Sequence, residues 1–181
     1  GRTVYNVNSG EFAAEMKKLL TLGVRVVGGC CGTSPAYIAQ LSQIAAEFSP
    51  QKIEDKNLTV ISSYTHAVYF GGAPVLIGER INPTGKKRLK QALKDGDMAY
   101  ILGEAVNQAE RGAHVLDVNV GLPEIDEPSV LERAVCEIQA VTDLPLQIDT
   151  SDPVAMERAM RRYNGKPLVN SVSGKQEVMD A

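Results

Sequence analysis

The sequence has 181 residues, a length that fits one ordinary domain or pieces of two. Apolar residues make up 44% and charged residues 23%, a globular composition that excludes a disordered or collagen-like chain. Nineteen basic and 22 acidic side chains leave a net charge of −3, so neither nucleic acid nor an anionic membrane is an expected partner. No apolar stretch approaches the roughly 18 residues of a membrane span, and three cysteines make a poor disulfide framework. The composition predicts an intracellular, cytoplasmic protein.

The first 48 residues predict two helices separated by one strand. Asn8 and Glu11 have the spacing of a capping box, so a first helix is expected to begin after Asn8. Residues 24–27 are rich in valine and predict a short strand. Ser34 followed by Pro35 predicts the start of a second helix.

Residues 49–73 differ in character from the segments on either side. Both ends of this stretch are polar or rich in glycine, and only residues 58–62 and 67–70 are weakly strand-like. The stretch is too apolar to be a free linker. We interpret it as an interdomain connection that packs on another part of the protein.

From Pro74 onward, short apolar strands alternate with amphipathic helices. Strands are predicted near residues 75–77, 115–116, 144–148 and 168–169, with helices at 97–111, at 128–141 and from 153. This alternation is typical of parallel β/α units, and each strand ends in a carboxylate or an amide. No glycine-rich dinucleotide fingerprint follows any strand, which favours a TIM barrel over an open doubly wound sheet.

A complete barrel of this type needs about 250 residues and eight strands. The sequence therefore predicts an α/β fold made of the C-terminal piece of one barrel, in residues 1–48, and the N-terminal half of a second, in residues 74–181.

Adjacent cysteines lie in a glycine-rich loop directly after the predicted strand at 24–27. Cys30 and Cys31 are either two small buried residues beside a tight turn or a pair of thiolate ligands at the end of a strand. Zinc favours thiolates and takes about four ligands. Cys136 lies within a helical pattern, and His66 and His114 lie in or beside strand-like stretches, so none of the three is a strong candidate for a further ligand.

The cysteine loop resembles a known family. Its sequence is Gly-Gly-Cys-Cys-Gly-Thr-Ser-Pro at residues 28–35, similar to the last strand and loop of the homocysteine S-methyltransferase barrel. The resemblance implies that Cys30 and Cys31 are two of three cysteine ligands to a catalytic zinc that binds homocysteine as its thiolate. The third ligand is expected before residue 1, so a complete zinc site is not expected in this chain alone.

Polar side chains end the successive strands of the second part. They are Asn82, Asp117, Asn119, Asp149 and Asn170. Taken singly, such residues are common in turns and helix caps. The two aspartates could bind a divalent cation, although their amide neighbours and the lack of a third carboxylate weaken that interpretation. Carboxylates and amides together suit a flat heterocycle rich in nitrogen, with N–H groups that donate and ring atoms that accept.

The runs around these residues, at 77–85, 117–119, 148–150 and 169–171, resemble the pterin-binding barrel shared by dihydropteroate synthase and methyltetrahydrofolate-using corrinoid methyltransferases. The resemblance implies that Asp117, Asn119 and Asp149 hold the pterin ring and that Asn82 lies near the rim. It places Asn170 near the methyl-bearing nitrogen and gives Asp149 and Asn170 the catalytic roles.

The order of the two resemblances is similar to that in the cobalamin-dependent methionine synthase family. It implies a methyltransferase that moves the methyl group of 5-methyltetrahydrofolate through cobalamin, bound by another domain, to zinc-bound homocysteine. Three alternatives stay open. A methyltetrahydrofolate:corrinoid protein methyltransferase or a dihydropteroate synthase is disfavoured by the double-cysteine segment, and a non-catalytic fragment or scaffold is the third. As an isolated fragment the chain is expected to be inactive.

Overall fold

The computed structural model describes residues 3–180, so residues 1, 2 and 181 of the predicted domains 1–48 and 74–181 lie outside the described residues. The chain forms two compact units, Gly1–Lys56 and Asn57–Ala181. The boundary between them falls inside the predicted connection. Within the described residues, no helix is long and apolar enough to cross a membrane.

The first unit contains two helices, α1 (Ser9–Thr21) and α2 (Pro35–Ala45). The predicted capping box at α1 is confirmed. Asn8 Oδ1 accepts from the backbone N–H groups of Gly10 and Glu11 at 3.0 Å, and the Glu11 carboxylate accepts from Asn8 N at 3.0 Å. Such a reciprocal arrangement satisfies amide groups that have no partner inside the helix.

The predicted strand at residues 24–27 is wrong. These residues belong to no strand, and the described part of the first unit contains no strand at all. The side chain of Val26 is 89% exposed. A β-branched run becomes a strand only where a neighbouring strand can take up its backbone hydrogen bonds, and residues 3–56 supply none.

The second unit is a β/α structure preceded by a hairpin. Its described strands are β1 (Val60–Ser62), β2 (Ala67–Tyr69), β3 (Ile77–Ile81), β4 (Val115–Val118), β5 (Leu146–Asp149) and β6 (Leu168–Asn170). Its described helices are α3 (Lys87–Asp95), α4 (Met98–Glu110), α5 (Glu127–Ile138), α6 (Pro153–Arg162) and α7 (Gln176–Met179). The strands β3, β4, β5 and β6 form one parallel sheet in that order, which confirms the predicted β/α alternation. Closure into a barrel stays a prediction.

Two elements of this unit differ from the sequence-based expectation. Strand β3 begins at Ile77, where the predicted strand ended, and its pairing with β4 shifts register between Gly78 and Ile81. At this irregularity Arg80 N donates to the side-chain oxygen of Gln108 on α4 at 2.8 Å, which replaces the missing ladder bond. Helix α3 was not predicted, and it ends at Gly96, whose φ of +68° suits a left-handed cap.

The two faces of the parallel sheet have opposite character. Leu116, Val118, Leu146 and Ile148 are fully buried in the apolar core, together with residues of the surrounding helices. Side chains alternate between the faces of a strand, so Asp117 and Asp149 lie on the other face. Burial of the apolar face holds the strands in register, and this fixes the positions of the polar side chains.

The β1–β2 hairpin is tied to the amino-terminal side of the sheet. The Tyr163 hydroxyl donates to Ser62 O at 2.8 Å and accepts from Leu146 N at 3.1 Å. Ser62 also exchanges backbone hydrogen bonds with Lys166. A side chain at Gly165 would meet Ser62 O at 2.2 Å, so only glycine permits this approach. Residues 60–69 are therefore part of the second unit.

Candidate functional site

The polar face of the sheet brings together residues from three neighbouring strands. Asp117 on β4 lies opposite Gln147 on β5, and Asp149 on β5 lies opposite Asn170 on β6. Asn119 follows Asp117 by two residues and therefore points to the same face. Four of the five predicted pterin residues thus lie on one surface, together with Gln147. We call this group the polar face.

Hydrogen bonds pair the side chains of the polar face across the strands. Gln147 Nε2 donates to Asp117 Oδ1, and Asn119 Nδ2 donates to Asp149 Oδ2 at 3.0 Å. Asn119 Oδ1 in turn accepts from Gly121 N at 2.9 Å, which orients the amide. Each carboxylate therefore lies beside an amide, and the two carboxylates occupy diagonal positions. Like charges directly opposite each other would repel, so this arrangement lowers the cost of placing two acids side by side.

Asn82, the fifth predicted residue, joins this group from the end of β3. Its side chain lies close enough to Asp117 to lower the pKa of that carboxyl, while its Oδ1 accepts from Thr84 N at 3.0 Å. The neighbouring backbone is held as well, because Asn119 N donates to Ile81 O at 2.8 Å. Asn82 therefore lies at the edge of the polar face and in contact with it.

Asp117 is the most buried acid of the site, with 2% of its surface exposed. Burial raises the pKa of its carboxyl from the ordinary 3.8 to about 6. The negative charges of Asp149 and Glu79 contribute to this rise, whereas the hydrogen bond from Gln147 and the nearby Asn82 amide oppose it. Near neutral pH the site therefore holds a carboxylate whose charge is weakly solvated.

Asn170 is half-buried at the end of β6. Its carbonyl oxygen accepts from Thr150 N at 2.8 Å, so the backbone on which the side chain sits is fixed to the end of β5. The catalytic roles expected for Asn170 and Asp149 stay predictions.

Sequence reasoning missed Lys86, whose side chain is mostly buried and whose ammonium group lies beside the end of β3. It donates to the Glu79 carboxylate at 3.0 Å and to the carbonyl oxygens of Glu79 and Asn82 at 3.0 and 3.1 Å. Lys86 therefore holds the turn that carries Asn82. No pattern in the sequence marks it, because its partners are backbone atoms brought close by the turn.

Two further residues of the site were also missed. Glu127, at the start of α5, accepts from the Thr150 hydroxyl, and Thr150 Oγ1 accepts from Asp152 N at 3.0 Å. This chain of contacts connects the loops that follow β4 and β5. Gln147 could have been found from the sequence, because it precedes Asp149 by two residues and must share its face.

The cysteine pair lies in the first unit, in the loop before α2. Cys30 and Cys31 are free and exposed, with their sulfur atoms 3.7 Å apart, which excludes the interpretation as core residues. Two thiolates bound to a tetrahedral zinc at about 2.3 Å would have sulfur atoms about 3.8 Å apart. The pair therefore fits two positions of a zinc site. Within residues 3–180 no group of three metal-binding side chains is present.

Comparison with known proteins assigns both parts of the chain. The family model described as pterin binding enzyme matches residues 78–181, more than half of the sequence. The chain belongs to the pterin-binding enzyme family. The family model described as homocysteine S-methyltransferase matches residues 1–45. Both predicted family resemblances are thus confirmed.

A curated relative matches most of the chain. Over 153 residues, 83% of this chain, the sequence is 30% identical to a methionine synthase of Mycobacterium tuberculosis (strain ATCC 25618 / H37Rv). The chain spans 13% of the length of that relative. The predicted resemblance to methionine synthase is thus confirmed.

Proposed function

We propose that the second unit binds the pterin ring of 5-methyltetrahydrofolate on its polar face, as one step of methyl transfer in methionine synthesis. The observation that carries the proposal is the pairing of acids and amides across β4 and β5, with Asp117 and Asp149 each held by an amide. A pterin presents a row of N–H donors beside ring acceptors, and this set of oxygens and amide groups matches such a ring.

The residues of the polar face bind and orient the ring in this proposal. Asp117 and Asp149 accept from ring N–H groups, and Asn119 both donates and accepts. Asn170 lies beside the methyl-bearing nitrogen. A tertiary amine is a poor leaving group, so proton delivery at that nitrogen assists the transfer, and Asn170 with Asp149 positions the proton or a water that carries it.

The first unit would supply the methyl acceptor. We propose that Cys30 and Cys31 hold zinc with further ligands from elsewhere in the protein, at a site that binds homocysteine. Bound zinc would keep the homocysteine sulfur as a thiolate at neutral pH. Cobalamin, carried by another domain, would take the methyl group between the two sites, and the free thiols agree with a cytoplasmic location.

In this proposal residues 1–48 are the C-terminal piece of one barrel, and residues 74–181 are the N-terminal half of the next. Residues 49–73 would then connect the two, although the hairpin within them packs with the second unit. The alternative of a methyltetrahydrofolate:corrinoid protein methyltransferase shares the polar face. The match of residues 1–45 to homocysteine S-methyltransferases favours the methionine synthase assignment.

Calorimetry with 5-methyltetrahydrofolate tests the pterin proposal on the full chain and on the longer polypeptide that contains it. We expect saturable binding at one site per polar face, competed by a pterin without a p-aminobenzoate tail. The p-aminobenzoate group alone should not bind. Absence of pterin binding in both proteins would refute the proposal, and binding in the longer polypeptide only would show that this chain does not act alone.

Removing both thiols tests the zinc proposal. We expect the longer polypeptide that contains this chain, purified with zinc, to lose most of its bound metal in the double variant Cys30→Ser/Cys31→Ser, because hydroxyls are poor zinc ligands. Cys136→Ser is the matched control, since Cys136 lies on α5 and contacts Arg162 instead. Metal analysis after dialysis measures the difference. Equal zinc in all three proteins would contradict the assignment.

A further inference from the structure

Gln147 lies within the polar face and contacts one of the two acids proposed to bind the ring. Its side-chain amide donates to Asp117 Oδ1, and the two residues are register partners on adjacent parallel strands. Asp117 is nearly inaccessible to water, so water cannot easily replace this donor. The hydrogen bond between Gln147 and Asp117 is therefore expected to persist in the folded protein.

The direction of this hydrogen bond gives it a specific effect. A carboxylate accepts through about four lone-pair positions, whereas a protonated carboxyl group also donates. A donor such as the Gln147 amide favours the ionised form and leaves other acceptor positions open. The second pair has the reverse order, with the amide Asn119 directly after β4 and the acid Asp149 on β5. Each acid thus has an amide as its neighbour across the strands. A second acid in that position would suppress its ionisation.

We propose that Gln147 is a positioning residue of the pterin site, which holds Asp117 as an oriented carboxylate able to accept from the N–H groups of the ring. This inference rests on the proposed function for the identity of the ligand. Its effect on Asp117 itself can be measured without any ligand.

The other charged groups near Asp117 make such a donor necessary. Glu79 from β3 and Asp149 from β5 both oppose ionisation of Asp117, and burial opposes it more strongly. Lys86 offsets part of this effect only indirectly, through its ion pair with Glu79 at 3.0 Å. The neutral amides of Gln147 and Asn82 are the groups that lower the pKa of Asp117, and Gln147 has the larger effect.

The first test is an NMR titration of the Asp117 side-chain carboxyl carbon in the full chain without ligand. In Gln147→Met, which keeps the volume and removes the donor, we expect the midpoint to rise by about one pH unit above the wild-type value. In Gln147→Glu, which keeps the shape and adds a like charge, the two acids should titrate as a coupled pair with a later second step. Either variant is sufficient if the other does not fold.

The matched control is Gln91→Met. Gln91 also donates to an aspartate, Asp95, at 2.8 Å, but this pair is exposed on α3. The control should leave the Asp117 midpoint unchanged. An unchanged midpoint in both Gln147 variants would overturn the proposal.

The second test measures 5-methyltetrahydrofolate affinity between pH 6 and 9. For a rise of about one unit in the midpoint, Gln147→Met should bind several-fold to tenfold more weakly than wild type at pH 6. The two proteins should approach equal affinity at pH 9, where Asp117 is ionised in both. A loss of equal size at every pH would indicate a structural role only and would overturn the proposal. Failure of wild type to bind at any pH would refute the proposed function, while the NMR result would still decide the role of Gln147.

Discussion

Replacement of Asp149 by alanine is expected to weaken 5-methyltetrahydrofolate binding by at least about 100-fold. The change removes an anionic acceptor for a ring N–H group, and a hydrogen bond to a charged group contributes about 1.5–3 kcal/mol. It also leaves Asn119 Nδ2 without the acceptor that holds it at 3.0 Å. Two of the expected ring contacts are therefore affected by one substitution. Calorimetry or equilibrium dialysis measures the loss.

One further variant tests the charge of Asp149, and a second is a control for its position. Asp149→Asn keeps the shape but removes the charge, and we expect an intermediate loss of about tenfold. Asp143→Ala is the matched control on the same segment, since Asp143 contacts Thr65 and His66 on the amino-terminal side of the sheet. It should bind within about twofold of wild type. Wild-type affinity in a folded Asp149→Ala protein would show that this residue is not part of the pterin site.

Replacement of Asp117 by asparagine is expected to stabilise the fold at neutral pH while it abolishes pterin binding. The carboxyl of Asp117 has its pKa raised to about 6, against 3.8 for an ordinary aspartate, so the folded state binds this proton more tightly than the unfolded state. Protonated Asp117 therefore contributes to the stability of the wild-type fold. This contribution is fully present below pH 4 and is lost as the pH rises through 6. A difference of this size corresponds to about 3 kcal/mol.

Urea unfolding at several pH values measures this effect. The free energy of unfolding of wild type should decline between pH 4 and 7 by up to about 3 kcal/mol from this group, and Asp117→Asn should lack that part of the decline. Asp95→Asn, an exposed acid on α3, is the control and should follow the wild-type curve. If Asp117→Asn shows the same decline as wild type, ionisation of the Asp117 carboxyl does not destabilise the fold and the prediction is wrong.

The expected gain in stability has a functional meaning. A buried, weakly solvated carboxylate destabilises the empty site, and a ligand that donates N–H groups to it relieves this cost on binding. Asparagine removes the cost but cannot accept in the same way, because its amide nitrogen is a donor. Greater stability combined with lost binding would mark Asp117 as a binding residue.

Local signals in the sequence were sufficient for most helices and strands of the second unit. Helices α4, α5 and α6 were expected at nearly their observed bounds, because each begins at an aspartate cap and presents an apolar face at helical spacing. The strands β4, β5 and β6 were also expected, as apolar runs that end in acids or amides. Helix α3 was missed because it is strongly charged, with the apolar residues Leu89, Ala92 and Leu93 as its buried stripe.

The residue types of the candidate site were also evident in the sequence. Asp117, Asn119 and Asp149 follow apolar strands, and parallel strands bring such positions to one edge of a sheet. The residues that hold them were not evident. Lys86 and Glu127 act through a turn and through a loop, and nothing in their sequence spacing distinguishes them from other surface charges.

The same limit explains the errors. Residues 24–27 have strand propensity but no neighbouring strand in the described part of their unit, and propensity alone cannot supply the missing hydrogen bonds. The hairpin at residues 60–69 was expected as weak strands in a connection. The contacts of Ser62 with Tyr163 and Lys166, about 100 residues further along the chain, place it on the sheet.

The length and composition allowed either one domain or pieces of two. The motifs and their family resemblances already favoured two pieces. They also singled out Cys30, Cys31 and the polar residues of the second part as candidate site residues. These features depend on local order along the chain, so they can be recognised before folding. The pairing of Asp117 with Gln147, and the raised pKa that accompanies it, depends on the register of two strands 30 residues apart and on burial by the surrounding core. Register and burial are set only when the apolar face of the sheet packs against its helices.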